Sequence, residues 1–187
     1  MTNATSVGER DFGELERRGT ELVLRFSRRL PHAPEKVWRA LTEPDHLAAW
    51  FPTTIDGERA AGARLRFAFR ESEGMDMDGE MLAFDPPKLM ELRWGEDILR
   101  FALRAEGEGS VLDFTDTFEE IGRAARDAAG WHACLDVLGY EIDGQKSPWL
   151  PVERWSHVHG TYQERLGPEA STLGPPEDWE RVHGSGA

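Results

Sequence analysis

Cysteine is nearly missing from this chain. Cys134 is the one cysteine among 187 residues, so no internal disulfide can form, and a reduced, cytosolic compartment is the expectation. Long hydrophobic runs are missing too. The longest apolar stretches fall far short of a membrane span and nothing at the start reads as a secretory signal, so no membrane partner is expected. Without such a signal, Asn3-Ala4-Thr5 carries no weight as a glycosylation sequon. Positive charge is scarce. With 22 Lys and Arg against 35 Asp and Glu the net charge is −13, which argues against nucleic acid as a partner.

Metal-ligand spacing is absent as well. His157 and His159 flank Val158, point to different faces of a helix, and have no Cys or third His at suitable spacing. In Asp76-Met77-Asp78-Gly79-Glu80 the glycine comes too early for a calcium loop, and no glutamate falls at the last ligand position. Gly107-Glu108-Gly109 reads as a hairpin turn, because no helix begins there to cradle a phosphate. No metal and no cofactor are expected.

What is present is a folded core. Hydrophobic residues make up 39% of the chain, enough for one globular domain. Leu22, Leu24 and Phe26 alternate with Val23, Arg25 and Ser27, which reads as a half-buried strand after a turn at Arg18-Gly19. Pro34 suits the first turn of a helix carrying Val37, Ala40 and Leu41 on one face, and Pro44 restarts a second short helix with Leu47, Trp50 and Phe51. Five further strands follow, one at 75–84 and four with apolar alternation at Leu65–Phe69, Met90–Trp94, Leu99–Leu103 and Leu112–Phe118. Turns are expected at Glu71–Gly74, Asp85-Pro86-Pro87, Gly95-Glu96-Asp97 and Gly107–Gly109.

One face of that antiparallel meander is apolar and must be covered. The cover is a long helix from Arg123 to Ile142, where Trp131, Leu135, Leu138 and Ile142 form a stripe and Gly144 follows the C-terminus. The expected organisation is a flexible N-terminus at 1–12, an α+β domain at 13–144, and an extension at 145–187 with an amphipathic helix at about 151–166. The tail from residue 167 is rich in Pro and Gly and expected to be loosely held, with Trp179 as a candidate anchor.

Three segments in this order resemble a known family. They are Pro34-Glu35-Lys36-Val37-Trp38-Arg39-Ala40-Leu41-Thr42 with Leu47-Ala48-Ala49-Trp50-Phe51, then Gly79–Lys88 followed by Trp94, then Gly130-Trp131-His132. Together they resemble the START-related SRPBCC superfamily, and within it the bacterial branch similar to the C-terminal domain of activators of the heat-shock chaperone ATPase. The resemblance covers roughly residues 22–143. It implies a helix-grip fold, a curved antiparallel sheet around a long C-terminal helix, with two short helices after the first strands. It also implies a cavity between sheet and long helix that often holds an apolar small molecule. The helix beyond Gly144 departs from the minimal family domain.

Two residues are candidates for chemistry. His132 lies about 100° around the helix from Trp131, beside the small residues Ala125, Ala128 and Gly139. It can serve a ligand as hydrogen-bond partner or acid–base group, or be a histidine at the edge of the core. Asp116 is in register with Leu112, Phe114 and Phe118 on the buried face, where a carboxylate needs a partner, and His132 is a candidate for that role; the other reading leaves Asp116 in water past the strand's end. Cys134 lies about 200° from His132 and cannot form a dyad with it, so it reads as a small buried hydrophobe. The expected cavity lining is Phe67, Phe69, Trp94, Phe101, Phe114, Trp131, His132 and Leu135. Three functions fit: binding of an apolar or aromatic small molecule, a cyclase- or hydrolase-like enzyme in the same cavity, or a stress-linked protein that contacts a chaperone or a second copy of itself.

Overall fold

The computed structural model describes residues 11–70 and 76–175. Asn3-Ala4-Thr5, the turn at Glu71–Gly74 and the anchor at Trp179 lie outside the described residues. Seven strands form one antiparallel sheet: β1 (Glu14–Arg18), β2 (Glu21–Leu30), β3 (Arg64–Phe67), β4 (Met77–Asp85), β5 (Leu89–Trp94), β6 (Asp97–Glu106) and β7 (Gly109–Phe118). Their spatial order is β1-β2-β7-β6-β5-β4-β3. The meander from β3 to β7 is therefore closed on β2, whose Phe26 pairs with Phe114.

Alternation decides which face is inner. Leu22, Leu24 and Phe26 on β2, Leu99, Phe101 and Leu103 on β6, and Leu112, Phe114 and Phe118 on β7 are all buried, while Arg100 and Arg104 between them are exposed. The helices α1 (Pro34–Thr42) and α2 (Pro44–Trp50) each begin on proline, whose missing N–H costs nothing there. Glu43 joins them, and Trp50 Nε1 donates to the Ala40 carbonyl at 2.9 Å, fixing one helix on the other.

The long helix α3 (Ala124–Ile142) follows a 3-10 turn at Ile121–Arg123. Trp131, Leu135, Leu138 and Ile142 are buried as the stripe requires. Gly144 adopts φ +67, and the N–H groups of Gly144 and Gln145 return to the carbonyls of Glu141 and Tyr140 at 3.0 and 2.9 Å. That is a Schellman stop, which needs the left-handed conformation glycine tolerates. The helix α3 is buried beyond one stripe, because twelve of its 19 residues are inaccessible. The second covered face belongs to α4 (Pro151–Leu166), which packs Trp155, Val158 and Tyr162 against it.

The tail is described only as far as residue 175. Residues Pro168–Ser171 form another 3-10 turn, Ala170 is buried, and the Leu173 N–H bonds the Gly122 carbonyl at 2.9 Å. A small apolar side chain and this backbone bond tie the described part of the tail, residues 167–175, to the domain.

Two glycines test the packing with opposite signs. A Cβ on Gly79 would lie 2.0 Å from the Arg93 carbonyl oxygen and 2.5 Å from Phe67, so Gly79→Ala should destabilise the chain by about 1–3 kcal/mol. Gly130 has open space at that position and sits inside α3, so Gly130→Ala should stabilise by up to about 1 kcal/mol. Urea unfolding midpoints for the two variants should move in opposite directions.

Candidate functional site

The inner faces of the sheet and α3 meet in a cluster of aromatic rings. Phe114 on β7 lies 4.8 Å from Phe101 on β6 and 4.8 Å from Trp131 on α3, centroid to centroid. Trp131 in turn meets Phe51 at 5.9 Å and Trp94 at 5.6 Å, and Trp94 meets Phe69 at 5.9 Å. Phe67, Phe101, Phe114, Trp131 and Leu135 are buried, whereas Trp94 and Phe69 are only half-buried. The cluster thus runs from the core to a partly open rim. Trp94 Nε1 reaches the buried Thr53 hydroxyl at 3.3 Å, a long bond for that donor.

Asp116 is inside, not in water. It is 1% exposed, between Leu24 on β2 and Leu99 on β6. Its partner is not His132 but Trp131, whose indole N–H donates to Asp116 Oδ2 at 2.8 Å. The other oxygen, Oδ1, has no hydrogen-bond partner among the described residues. Burial, reinforced by the nearby Asp97 carboxylate, pushes the Asp116 carboxyl up to about 8 against the downward pull of Trp131. The cation whose charge acts on it, Arg123, is committed elsewhere. Arg123 bonds Asp97 through both terminal nitrogens and Asp127 at 2.7 Å. Burial opposes the charge of Arg123, but those acids outweigh it and hold its pKa above the ordinary value.

His132 is a correction. It is fully buried, yet it faces α4 and the chain before β1 and not the aromatic cluster. Trp131 and His132 are adjacent on α3 and about 100° apart, so only one can face the middle of the sheet, and the larger ring takes that place. The Tyr162 hydroxyl accepts from the Gly13 N–H at 2.8 Å and donates to His132 Nδ1 at 2.9 Å. That assignment puts the imidazole proton on Nε2, which lies 3.3 Å from Asp136 Oδ2 without good hydrogen-bond alignment. Arg154 donates to the same oxygen at 2.6 Å, and Arg28 approaches the other Asp136 oxygen at 3.7 Å. Burial, with the Arg28 and Arg154 charges added, lowers the His132 pKa despite Asp136. The imidazole is therefore neutral at pH 7 and closed to a ligand in the aromatic cluster. No acid–base pair with Asp116 exists.

Sequence reasoning missed Asp136, Arg154 and Arg28 because an acid and two arginines on separate elements leave no local pattern. It missed the Trp131–Asp116 bond because Trp131 was read for its ring and not for its N–H. Cys134 is buried, and burial pushes its thiol up to about 12, consistent with an inert hydrophobe. Among the described residues no group of His, Cys, Asp and Glu is arranged to hold a metal, and no helix is long and apolar enough to cross a membrane. Two open grooves, of about 400 and 380 Å³, lie away from the aromatic cluster; the first runs beside Trp149 and Leu150, the second between Pro34 and Pro87.

The family model described as Activator of Hsp90 ATPase homolog 1-like protein matches residues 31–141. Among solved structures, EF2215 from Enterococcus faecalis, described as a conserved protein of unknown function, superposes with a TM-score of 0.68 at 21% identity, over 82% of this chain and 90% of its own. CalU16 from Micromonospora echinospora gives 0.66 at 22% identity, over 82% and 96%. DynU16, from the dynemicin biosynthetic locus, gives 0.58 at 24% identity, over 68% and 51%. These likenesses confirm the helix-grip fold. No curated protein matches the sequence.

Gly13 and α4 lie outside the matched range, and the His132 cluster ties both to α3. Tyr162→Phe keeps the ring but strands the Gly13 N–H and His132 Nδ1, so it should cost about 1–3 kcal/mol in chemical unfolding. His132 also gives stability a pH dependence. Its folded pKa is depressed, so its contribution is fully present above the ordinary value of 6.5 and is lost as pH falls through the folded value. Stability measured between about pH 7 and 5 should therefore fall more steeply in the native chain than in His132→Gln. The raised Asp116 carboxyl acts with the opposite sign over that window, but equally in both proteins, so the difference isolates His132.

Proposed function

The chain belongs to the Activator of Hsp90 ATPase homolog 1-like family of the START-related SRPBCC superfamily, and from that premise we propose that it binds an apolar or aromatic small molecule between the sheet and α3. Members of this superfamily bind hydrophobic ligands in a helix-grip fold. The observation that carries the reading here is the ring series Phe101–Phe114–Trp131–Trp94–Phe69, which is continuous from the core to two half-buried rings. A planar molecule entering at Trp94 and Phe69 replaces ring–ring contacts with ligand–ring contacts of the same kind. The lining set is Phe67, Phe69, Trp94, Phe101, Phe114, Trp131 and Leu135, joined by Phe51. His132 drops out of it.

The cyclase- or hydrolase-like alternative is weakened, since its acid–base pair does not form. Contact with a chaperone or a second copy would use another surface, the loop before α4, where Leu150 is 63% exposed. The single buried thiol accords with a reducing, cytosolic setting.

The test is a titration with the neutral fluorophore N-phenyl-1-naphthylamine. Saturable one-to-one binding is expected, weakened about tenfold, or about 1.4 kcal/mol, by Trp94→Ala and unaffected by Trp149→Ala. Loss on Trp149→Ala alone would move the site to the groove beside α4 and overturn the reading.

A further inference from the structure

Asp116 is the one acidic side chain on the inner face of β7, flanked along the strand by Phe114 and Phe118 and across it by Leu24 and Leu99. Nothing in an apolar core requires it. Replacing a buried polar pair by hydrocarbon of the same shape is often neutral, so a half-satisfied carboxyl at the centre of an aromatic cluster needs a reason.

Its bonding is lopsided. Oδ2 is taken by the Trp131 N–H, while Oδ1 is buried with no partner among the described residues. The groups packed around it offer no counter-charge to spare. Asp97 on β6 and Asp127 on α3 are acids, and Arg123, which precedes α3, is committed to both of them. Leu24 and Leu99 complete the surroundings with hydrocarbon. A carboxyl in that setting is best accommodated as the neutral acid. Oδ2 then acts as the carbonyl oxygen that accepts from Trp131, and Oδ1 carries a proton that has nowhere to go. Trp131 links this donor to the ring series, since the same side chain bonds Asp116 and touches Phe51, Trp94 and Phe114.

We propose that Asp116 is the polar anchor of the binding site between sheet and α3, and that the ligand it selects is a planar aromatic carbonyl compound whose oxygen accepts a hydrogen bond from Asp116 Oδ1. The proposal rests on the reading that a ligand occupies this site. It adds the chemical class: an unsaturated ring system in contact with Trp94 and Trp131, with one acceptor oxygen at its buried end. A cationic amine is the competing class, because an ionised Asp116 beside two indole rings would favour it.

Three naphthalenes of closely related shape separate these cases: 2-acetylnaphthalene, 2-isopropenylnaphthalene, which carries CH₂ where the first has oxygen, and 2-(aminomethyl)naphthalene. Each is titrated into the full chain at about pH 6.5 and 9.5, followed by tryptophan quenching and calorimetry. The ketone is expected to bind at least about tenfold more tightly than its hydrocarbon isostere at the lower pH. The preference should shrink at the higher pH, where the donor proton is lost. Asp116→Asn keeps a donor and should retain a preference, whereas Asp116→Leu should abolish it while still binding the hydrocarbon. The comparison of ligands in the unsubstituted chain stands even if a variant fails to fold. Equal affinity for ketone and hydrocarbon would overturn the anchor and leave an apolar site intact. Tightest binding of the amine, at either pH, would overturn the carbonyl class. If none of the three binds saturably, the site itself is refuted along with the anchor.

Discussion

The Trp131 indole N–H on Asp116 is the contact around which the inner layer is organised. Apart from the Arg28–Asp136 approach and the Asp97–Arg123–Asp127 cluster at the helix start, the contacts described between sheet and α3 are hydrocarbon or aromatic edge, and such contacts are non-directional. A hydrogen bond of 2.8 Å between two buried groups is directional. It fixes the rotation of α3 about its own axis, because the indole must point at β7. Once Trp131 points there, Leu135, Leu138 and Ile142 follow onto the sheet and His132 is turned about 100° away. The cost is a carboxyl with one oxygen bonded and one not, in a place where water cannot reach it.

That rotation explains the second layer. The face of α3 carrying His132 and Asp136 would be exposed in a domain ending at Gly144, and a neutral, water-facing histidine there would be unremarkable. In this chain α4 covers it and converts surface groups into buried ones. Two arginines and one aspartate then share the space with the imidazole. Burial is the main force that lowers the imidazole pKa, the two arginines add to it, and Asp136 alone pulls the other way. The same surroundings draw the Asp136 pKa below its ordinary value, against the penalty of burial. Docking of α4 is thus held by polar groups whose charge states depend on one another, and by the apolar anchors Trp155, Val158 and Tyr162.

The elements were legible in the sequence and the contacts between them only partly so. Period-two alternation marked the strands of the meander other than β4, whose burial does not alternate, and it put Asp116 in register with Leu112, Phe114 and Phe118 while leaving open whether the strand ended before it. The Trp131–Ile142 spacing gave α3, and Gly144 its end. What alternation and helical spacing cannot give is which of two neighbouring side chains a packed helix turns inward. Trp131 and His132 both satisfy the pattern within its angular width. The choice is made by ring volume and by an indole donor that needs an acceptor, and neither is periodic. The Arg28–Asp136–Arg154 cluster was illegible for a different reason: its members lie on β2, α3 and α4, and no local pattern joins them.

The arrangement of the two layers also bears on where the proposed ligand would enter. On the flank of α3 nearest β2 and the chain before β1, α4 and Phe12 close the interface over His132. Entry there requires breaking the buried bond between Tyr162 and His132 and separating Tyr162 from the Gly13 N–H. On the opposite flank the boundary is Trp94 and Phe69, two half-buried rings held by ring contacts and by one 3.3 Å bond to Thr53. Ring contacts yield more cheaply than a buried polar network, because a displaced ring finds an aromatic ligand in place of the lost neighbour, whereas a displaced donor finds nothing. The C-terminal helix therefore closes one side of the grip, and for the proposed ligand the Trp94 side would be the path inward. A ligand bound as proposed would meet the two half-buried rings first, Trp131 next, and the buried, unpartnered oxygen of Asp116 last.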